Sequence, residues 1–321
     1  MIRSNGLRLR ERFINLAGRL YLLKKKRYAH KAGITVLNYH RISPSSFKKH
    51  LEYIRAHYNV VSPEVFLDWL CGKKFIDTQS VLFTFDDGYV GFYEKIYPIL
   101  RGTETPAFMF VATGLIGKTS YFWADKLEVA VQKTNVCAVT IGDKKFYLYP
   151  RVYRADFYES IVRHMRRMDE GRICETMEDL FRQLKVKITE NDMKGHRLLD
   201  WSQVLEMEQS GIVVFGSHTV NHPNLRNLTN EEVEYELVES KDTLESHIGK
   251  KVGAFAFPYG GPDSFNEHIV NEVGRAGYVC AFTTIQGKLA VDREDKFRLP
   301  RVLLFDYQDQ GAVALKLDRY Q

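Results

Sequence analysis

The chain reads as an α/β protein, a distorted seven-stranded β/α barrel carrying a subdomain inserted after its third strand. Three observations lead there. Seven short apolar runs are each closed by a turn signal, the mark of buried strands. Helical periodicities separate most of them, and strands alternating with helices imply a parallel sheet. The third and fourth runs, however, are separated by the whole of Ala112–Gly211, far more than a crossover needs.

In chain order, the expected strands are Thr35–Tyr39, Val81–Phe85, Ala107–Val111, Ile212–Gly216, Gly253–Phe257, Tyr278–Thr283 and Arg301–Phe305. Within the long separation, Cys137–Ile141 and Lys145–Tyr149 flank Gly142-Asp143 and predict a hairpin, with helices after it. Residues of about 113–211 are therefore assigned to a subdomain. Trp201 begins a helix and is expected in the core. Asn230–Ile248 is a helix with Val233, Leu237, Leu244 and Ile248 on one face. Thr229 and Glu232 form its capping box and Gly249 ends it.

The chemistry gathers where strands end. VLFTFDDGY, Val81 to Tyr89, stops an apolar run with two aspartates. Carboxylates at the mouth of a buried strand are costly unless they bind a cation or do chemistry. Neighbouring strand residues face opposite sides, so Asp86 and Asp87 can hold different roles. VVFGSHTVNHPNL, Val213 to Leu225, places His218 and His222 in a loop after another run. Two histidines and one carboxylate leave positions open on a metal. KVGAFAFPYGG ends a further run with Pro258, Tyr259, Gly260 and Gly261, where a backbone N–H can meet a developing oxyanion. His40 closes ITVLNYHRI, Ile34 to Ile42. Barrels of this class place their sites at such strand ends.

TFDDG, SHTVNH and FPYG, in this order, resemble the first three motifs of the polysaccharide deacetylases, the NodB-like carbohydrate esterase family 4. The resemblance covers roughly Gly33 to Asp306, with a long insertion in the middle. It implies a NodB-like barrel and a metal-dependent hydrolase that removes acetyl groups from an N-acetylated amino sugar in a poly- or oligosaccharide or glycolipid. It implies Asp86 as general base, and Asp87, His218 and His222 as ligands of one divalent ion, Zn2+ before Co2+, Mn2+ or Ni2+. The N–H of Tyr259, after Pro258, would line the oxyanion hole. Two positions depart from the family pattern. Ala256 stands where an arginine is usual, and the late Leu-x-His motif is missing from RLPRVLLFDYQ. A circularly permuted branch takes its general acid from an early Tyr-His strand end, which implies that role for His40. Arg301, opening the last strand, is the expected substitute for the missing arginine. Phe122, Trp123 and Asp125, early in the insertion, are candidate sugar contacts, against a core-anchor role for Trp123.

Composition agrees with an ordinary enzyme. The chain has 321 residues, 45% of them apolar and 13% aromatic, enough for one large barrel domain over residues 32–321. Cys71, Cys137, Cys174 and Cys280 show no paired spacing and read as free thiols of a reducing compartment, hence a cytoplasmic expectation. Charge is uneven. Residues 1–31 hold ten Lys or Arg against Glu11, a net +9 that leaves −3 for the remainder. Arginines interrupt their apolar residues and no cleavage site follows, so they do not read as a secretory signal. They read as a basic amphipathic helix, either lying on an anionic membrane surface, the inner membrane face, or packed on the barrel. Nucleic acid is not an expected partner, because the body is slightly acidic. A non-haem iron oxygenase would share the two-His, one-carboxylate set but has no use for a second adjacent aspartate. The remaining alternative is a non-catalytic carbohydrate-binding relative of the deacetylases.

Overall fold

The computed structural model describes residues 5–24, 34–76, 79–289 and 295–319, with side chains from Leu9 to Leu23 in the first stretch. Residues 1–4 and 25–31 of the basic leader lie outside the described residues. The chain opens with helix α1 (Asn5–Lys24), strand β1 (Ile34–Tyr39), α2 (Pro44–His57), β2 (Asn59–Val60), α3 (Pro63–Leu70) and β3 (Ser80–Phe85). Next come α4 (Tyr97–Gly102), β4 (Ala107–Val111), α5 (Trp123–Lys133), the β5–β6 hairpin (Ala138–Ile141 and Lys144–Tyr147), α6 (Tyr153–Met165) and α7 (Glu170–Leu184). The chain then runs through α8 (Trp201–Gln209), β7 (Val213–Ser217), α9 (Asn230–Ile248), β8 (Ala254–Ala256), α10 (Glu267–Arg275), β9 (Cys280–Phe282), β10 (Val302–Leu303) and α11 (Gln310–Arg319).

Contacts divide the chain into two compact units. One runs from Phe13 to Lys118 and again from Leu198 onward; the other comprises Thr119–Arg197 with the first part of α1, up to Arg12. The first unit is a curled parallel sheet in the order β10-β1-β3-β4-β7-β8-β9, and the short β2, which the apolar pattern does not reveal, adds to β3. All seven expected strands are present, the last shortened to two residues. The seam between β9 and β10 is irregular. Leu299 N–H donates to Ala281 O, Thr283 N–H to Leu299 O and Arg301 N–H to Ile285 O, at 2.9, 2.9 and 3.0 Å.

Strands buried on both faces explain the near-continuous apolar runs. Val36, Leu82, Phe108, Phe110, Ala256 and Phe282 form one cluster, inside the curl. Their alternating neighbours Leu37, Phe83, Phe85, Met109 and Phe255 join the layer under the helices. The second unit has its own core, built from Leu127 and Val131 of α5, Phe157 and Ile161 of α6, and Leu180 of α7. Its β5–β6 ladder is antiparallel, as the hairpin pattern predicts.

Helix α9 follows its sequence signals closely. The Thr229 side chain accepts from Glu232 N–H, Glu232 answers to Thr229 N–H, and Gly249 closes the helix in the left-handed conformation. Trp201 is half-buried against the barrel core and stacks on His247. Among the described residues, no helix is long and apolar enough to cross a membrane.

The capping box generates a test. Thr229→Ala removes one acceptor for an otherwise orphaned N–H and is expected to lower unfolding stability by about 1 kcal/mol. A urea midpoint that does not move would contradict it.

Candidate active site

β1 and β3 pair in register, so Asn38 lies beside Thr84 and Tyr39 beside Phe85. One residue further, Asp86 N–H donates to Tyr39 O at 3.0 Å, which carries the ladder past the end of β3. The period of two points Asn38, Thr84 and Asp86 to one side, the inside of the curl. There the Asp86 carboxylate meets Arg301, which is fully buried. Arg301 Nη1 donates to Oδ1 and Nη2 to Oδ2, both at 2.8 Å, and Asn38 Nδ2 donates to Oδ2 at 3.0 Å. Arg301 is itself held by Thr283 O at 2.8 Å from Nε and by Thr84 Oγ1 at 3.2 Å from Nη1. Its guanidinium carbon lies 5.9 Å from the ring centres of Phe110 and Phe282. Burial alone would push the Asp86 carboxyl up. The charges of Arg301, His218 and His40 outweigh it and hold the group below the usual carboxylate range.

Asp87 turns away from Asp86 through a left-handed backbone, φ 77°. Its Oδ1 lies 3.6 Å from His218 Nε2 and 3.5 Å from His222 Nε2. Burial opposes ionisation here too, yet the two imidazoles outweigh it and hold Asp87 well below the ordinary range. His218 Nδ1 sits 2.7 Å from Ala256 O. A carbonyl can only accept, so Nδ1 carries a proton, and Nε2 is the ring nitrogen left to ligate a cation in place of its contact with Asp87. One ligand atom from each of Asp87, His218 and His222 falls within 4.8 Å of the others. This donor set, with its tautomer already selected, fits a divalent cation.

The loop carrying the histidines is strained and supported. Thr219 and His222 both have positive φ, 71° and 61°, a conformation that typically costs about 1–3 kcal/mol in a non-glycine residue. Buried Glu236 of α9 accepts from Val220 N–H at 2.7 Å, Asn221 N–H at 3.0 Å and Asn221 Nδ2 at 2.8 Å. Thr219 Oγ1 accepts from His222 N–H at 2.9 Å. Tyr259 also has positive φ, 62°, and its ring stands edge-on to His222 with centres 5.1 Å apart. Its turn is pinned by Thr284, whose Oγ1 donates to Tyr259 O and whose N–H donates to Gly260 O, at 2.7 and 2.9 Å. A Cβ on Gly260 would fall 2.7 Å from Thr284 N, so the residue after Tyr259 must be glycine. His40 is partly exposed, with Nε2 3.8 Å from Asp86 Oδ2.

The first unit thus brings together His40, Asp86, Asp87, His218, His222, Pro258, Tyr259 and Arg301. Trp123 and Asp125 belong to the second unit. Trp123, the first residue of α5, packs on that unit's apolar core. Asp125 is buried, with Oδ1 3.1 Å from His196 Nδ1. Asp125, Glu128 and His196 also each offer a ligand atom within 4.8 Å of one another, and Gln132 Nε2 donates to Glu128 at 3.3 Å. Sequence reasoning missed Asn38 and Glu236. Both carried a signal: each is a polar residue on a buried stripe, Asn38 two positions after Val36 and Glu236 three after Val233.

Removing one partner of a buried ion pair leaves the other charge stranded. Arg301→Met is therefore expected to cost about 3–5 kcal/mol of stability. In an Asp86→Asn background the same change should cost less, by at least about 1 kcal/mol. Additive costs in denaturant titrations of the four proteins would contradict the pairing.

The chain is similar to known proteins over most of its length. The polysaccharide deacetylase family model matches residues 74–281, well over half of the chain. The Bacillus subtilis (strain 168) protein YxkH, provisionally named a polysaccharide deacetylase, is 22% identical over 271 residues, spanning 82% of this chain and 68% of that one. Among solved structures, the Streptococcus pyogenes deacetylase PplD in complex with acetate superposes with a TM-score of 0.59 at 20% identity, covering 89% of this chain and 98% of its own. IcaB from Ammonifex degensii gives 0.58 at 21% identity, covering 89% and 97%. These two share the fold, the NodB-like β/α barrel. By the extent of the family match, the chain belongs to the polysaccharide deacetylases.

Proposed function

We propose that this chain is a metal-dependent hydrolase that removes the acetyl group from an N-acetylated amino sugar within a poly- or oligosaccharide or a glycolipid. One observation carries the reading. A cation-binding triad, Asp87, His218 and His222, stands beside a second ionised carboxylate, Asp86, that is not one of its ligands. A binding protein needs the first but has no use for the second.

Asp87, His218 and His222 would hold the ion, and their mixed nitrogen and oxygen donors suit Zn2+ best, with Co2+, Mn2+ and Ni2+ close behind. A divalent ion in such a site lowers the pKa of water toward ~7 and polarises an acyl oxygen. The chain's own residues supply the remaining work. Asp86 accepts the proton from the attacking water; Arg301 and Asn38 fix the plane of its carboxylate so that the acceptor does not swing. The hydroxide oxygen bonds to the acetyl carbon, and the carbonyl oxygen takes up the charge. The Tyr259 N–H donates to that oxygen from a turn already locked by Thr284. His40, beside Asp86 and open to solvent, donates a proton to the sugar nitrogen as the C–N bond breaks. Acetate and a free amine leave.

Metal analysis and turnover separate binding from chemistry. Purified protein is expected to carry about one divalent ion per chain. His222→Ala should lose it, and full occupancy after all three ligands become alanine would refute the site. Asp86→Asn should keep the metal and lose about 10²- to 10⁴-fold in acetate release, as should His40→Ala. Acetate release from a panel of acetylated glycans, with and without chelator, tests the whole reading. Release that ignores the chelator, or none from any glycan by the metal-loaded protein, would contradict it.

A further inference from the structure

Helix α1 has two faces of opposite character. One is seated on the barrel. Gly18 lies so close to Gly311 and Ala312 at the start of α11 that a Cβ on it would come within 2.3 Å of backbone. Asn15 Nδ2 donates to Tyr307 O at 2.8 Å and Asn15 Oδ1 accepts from Asp309 N–H at 3.1 Å. Arg19 Nε donates to Asp309 at 2.7 Å, and the Tyr21 hydroxyl donates to Asp318.

The opposite face carries Phe13, Leu16, Leu20 and Leu23, spaced three and four apart, so they form one stripe along the helix. They are 72%, 56%, 50% and 84% exposed, and Leu9, one turn earlier, is 74% exposed. Large apolar side chains scattered singly on a surface are ordinary; five in register on one helix are not. Its basic, amphipathic sequence suits either a packed helix or a surface anchor. The structure has the helix packed, and its largest apolar residues still face outward.

Two occupants suit such a stripe, a bilayer surface or the same stripe of a second copy. Charge decides between them. Read as a coiled-coil seam, Leu9, Leu16 and Leu23 take one core position and Phe13 and Leu20 the other. By sequence, the positions that flank a seam are then Arg10, Arg12, the small Ala17, Lys24 and Arg19, the last already paired with Asp309. Two copies would line up cations against cations, where stable coiled coils place opposite charges. Against an anionic bilayer the same cations are complementary, and Lys25, Lys26 and Arg27 follow at once in the chain.

We propose that this face of α1 docks the enzyme on an anionic phospholipid surface, the stripe of Leu and Phe side chains entering the headgroup boundary and Arg10 and Arg12 meeting lipid phosphates and carboxylates. The attachment is independent of the deacetylase reading, since none of its residues belongs to the site. The protein is expected to sediment with vesicles of phosphatidylcholine and phosphatidylserine at low salt, and to be released as salt rises. Pure phosphatidylcholine vesicles should leave most of it in solution. The double variant Leu16→Asp, Leu20→Asp should bind the mixed vesicles about tenfold more weakly or worse, with unchanged melting temperature and unchanged metal content. Equal sedimentation with neutral vesicles, or no loss in the double variant, would overturn the proposal. So would analytical ultracentrifugation showing a dimer that the double variant abolishes, which would assign the stripe to a second copy.

Discussion

The buried pair between Arg301 and Asp86 is the constraint on which the rest of this structure depends. Its partners are 215 positions apart in the chain. Asp86 follows β3, and Arg301 stands just before β10, on the other side of β1 in the sheet. The guanidinium spans that gap inside the curl, touching Thr283 after β9 and Thr84 of β3 as well. One side chain therefore ties together the place where the barrel seam is irregular and the candidate active site. A carboxylate this deep is tolerated because its charge and its lone pairs are met by a planar fork with matching geometry. The aromatic faces of Phe110 and Phe282 complete the housing of the cation.

From that anchor the two aspartates acquire separate lives. Asp86 is fixed inward, and the left-handed turn at Asp87 sends the next carboxylate toward His218 and His222. The same backbone strain recurs at Thr219, His222 and Tyr259. Each strained residue has an identified support: Glu236 and the Thr219 hydroxyl for the histidine loop, Thr284 for the Tyr259 turn. Beyond the loop's own Thr219, these supports come from α9 and from the residues after β9, so the site's geometry is not set by the loops alone.

Much of this was legible in the sequence, for physical reasons that differ by element. Strands buried on both faces must be apolar throughout, which made all seven detectable; β2, two residues long, offers no pattern to find. Asp86, Asp87, His218 and His222 stood out because charged and titratable groups ended apolar runs. Arg301 was singled out from an absence, Ala256 where a cation is usual. The structure places it in bidentate contact with Asp86, and Ala256 meanwhile lends its carbonyl to His218. Glu236 stands on the buried stripe of α9, but on a helix rich in glutamates that signal is easily taken for solvent-facing charge until the helix is docked. The seating of α1 through Gly18 was equally hidden, since a close approach of two glycines leaves no periodic trace.

On the proposed function, Arg301 keeps Asp86 an ionised proton acceptor despite full burial. The pH dependence of kcat/KM for acetate release, compared between the wild type and a folded, metal-loaded Arg301→Met, tests it most directly. With the cation present the carboxyl titrates below its ordinary value of about 3.9, so the base is available across the neutral and mildly acidic range. Without it, burial is left unopposed and the carboxyl must titrate higher. The acid limb of the variant is predicted to move up by about 1–3 pH units. An acid limb in the same place for both proteins would contradict the claim.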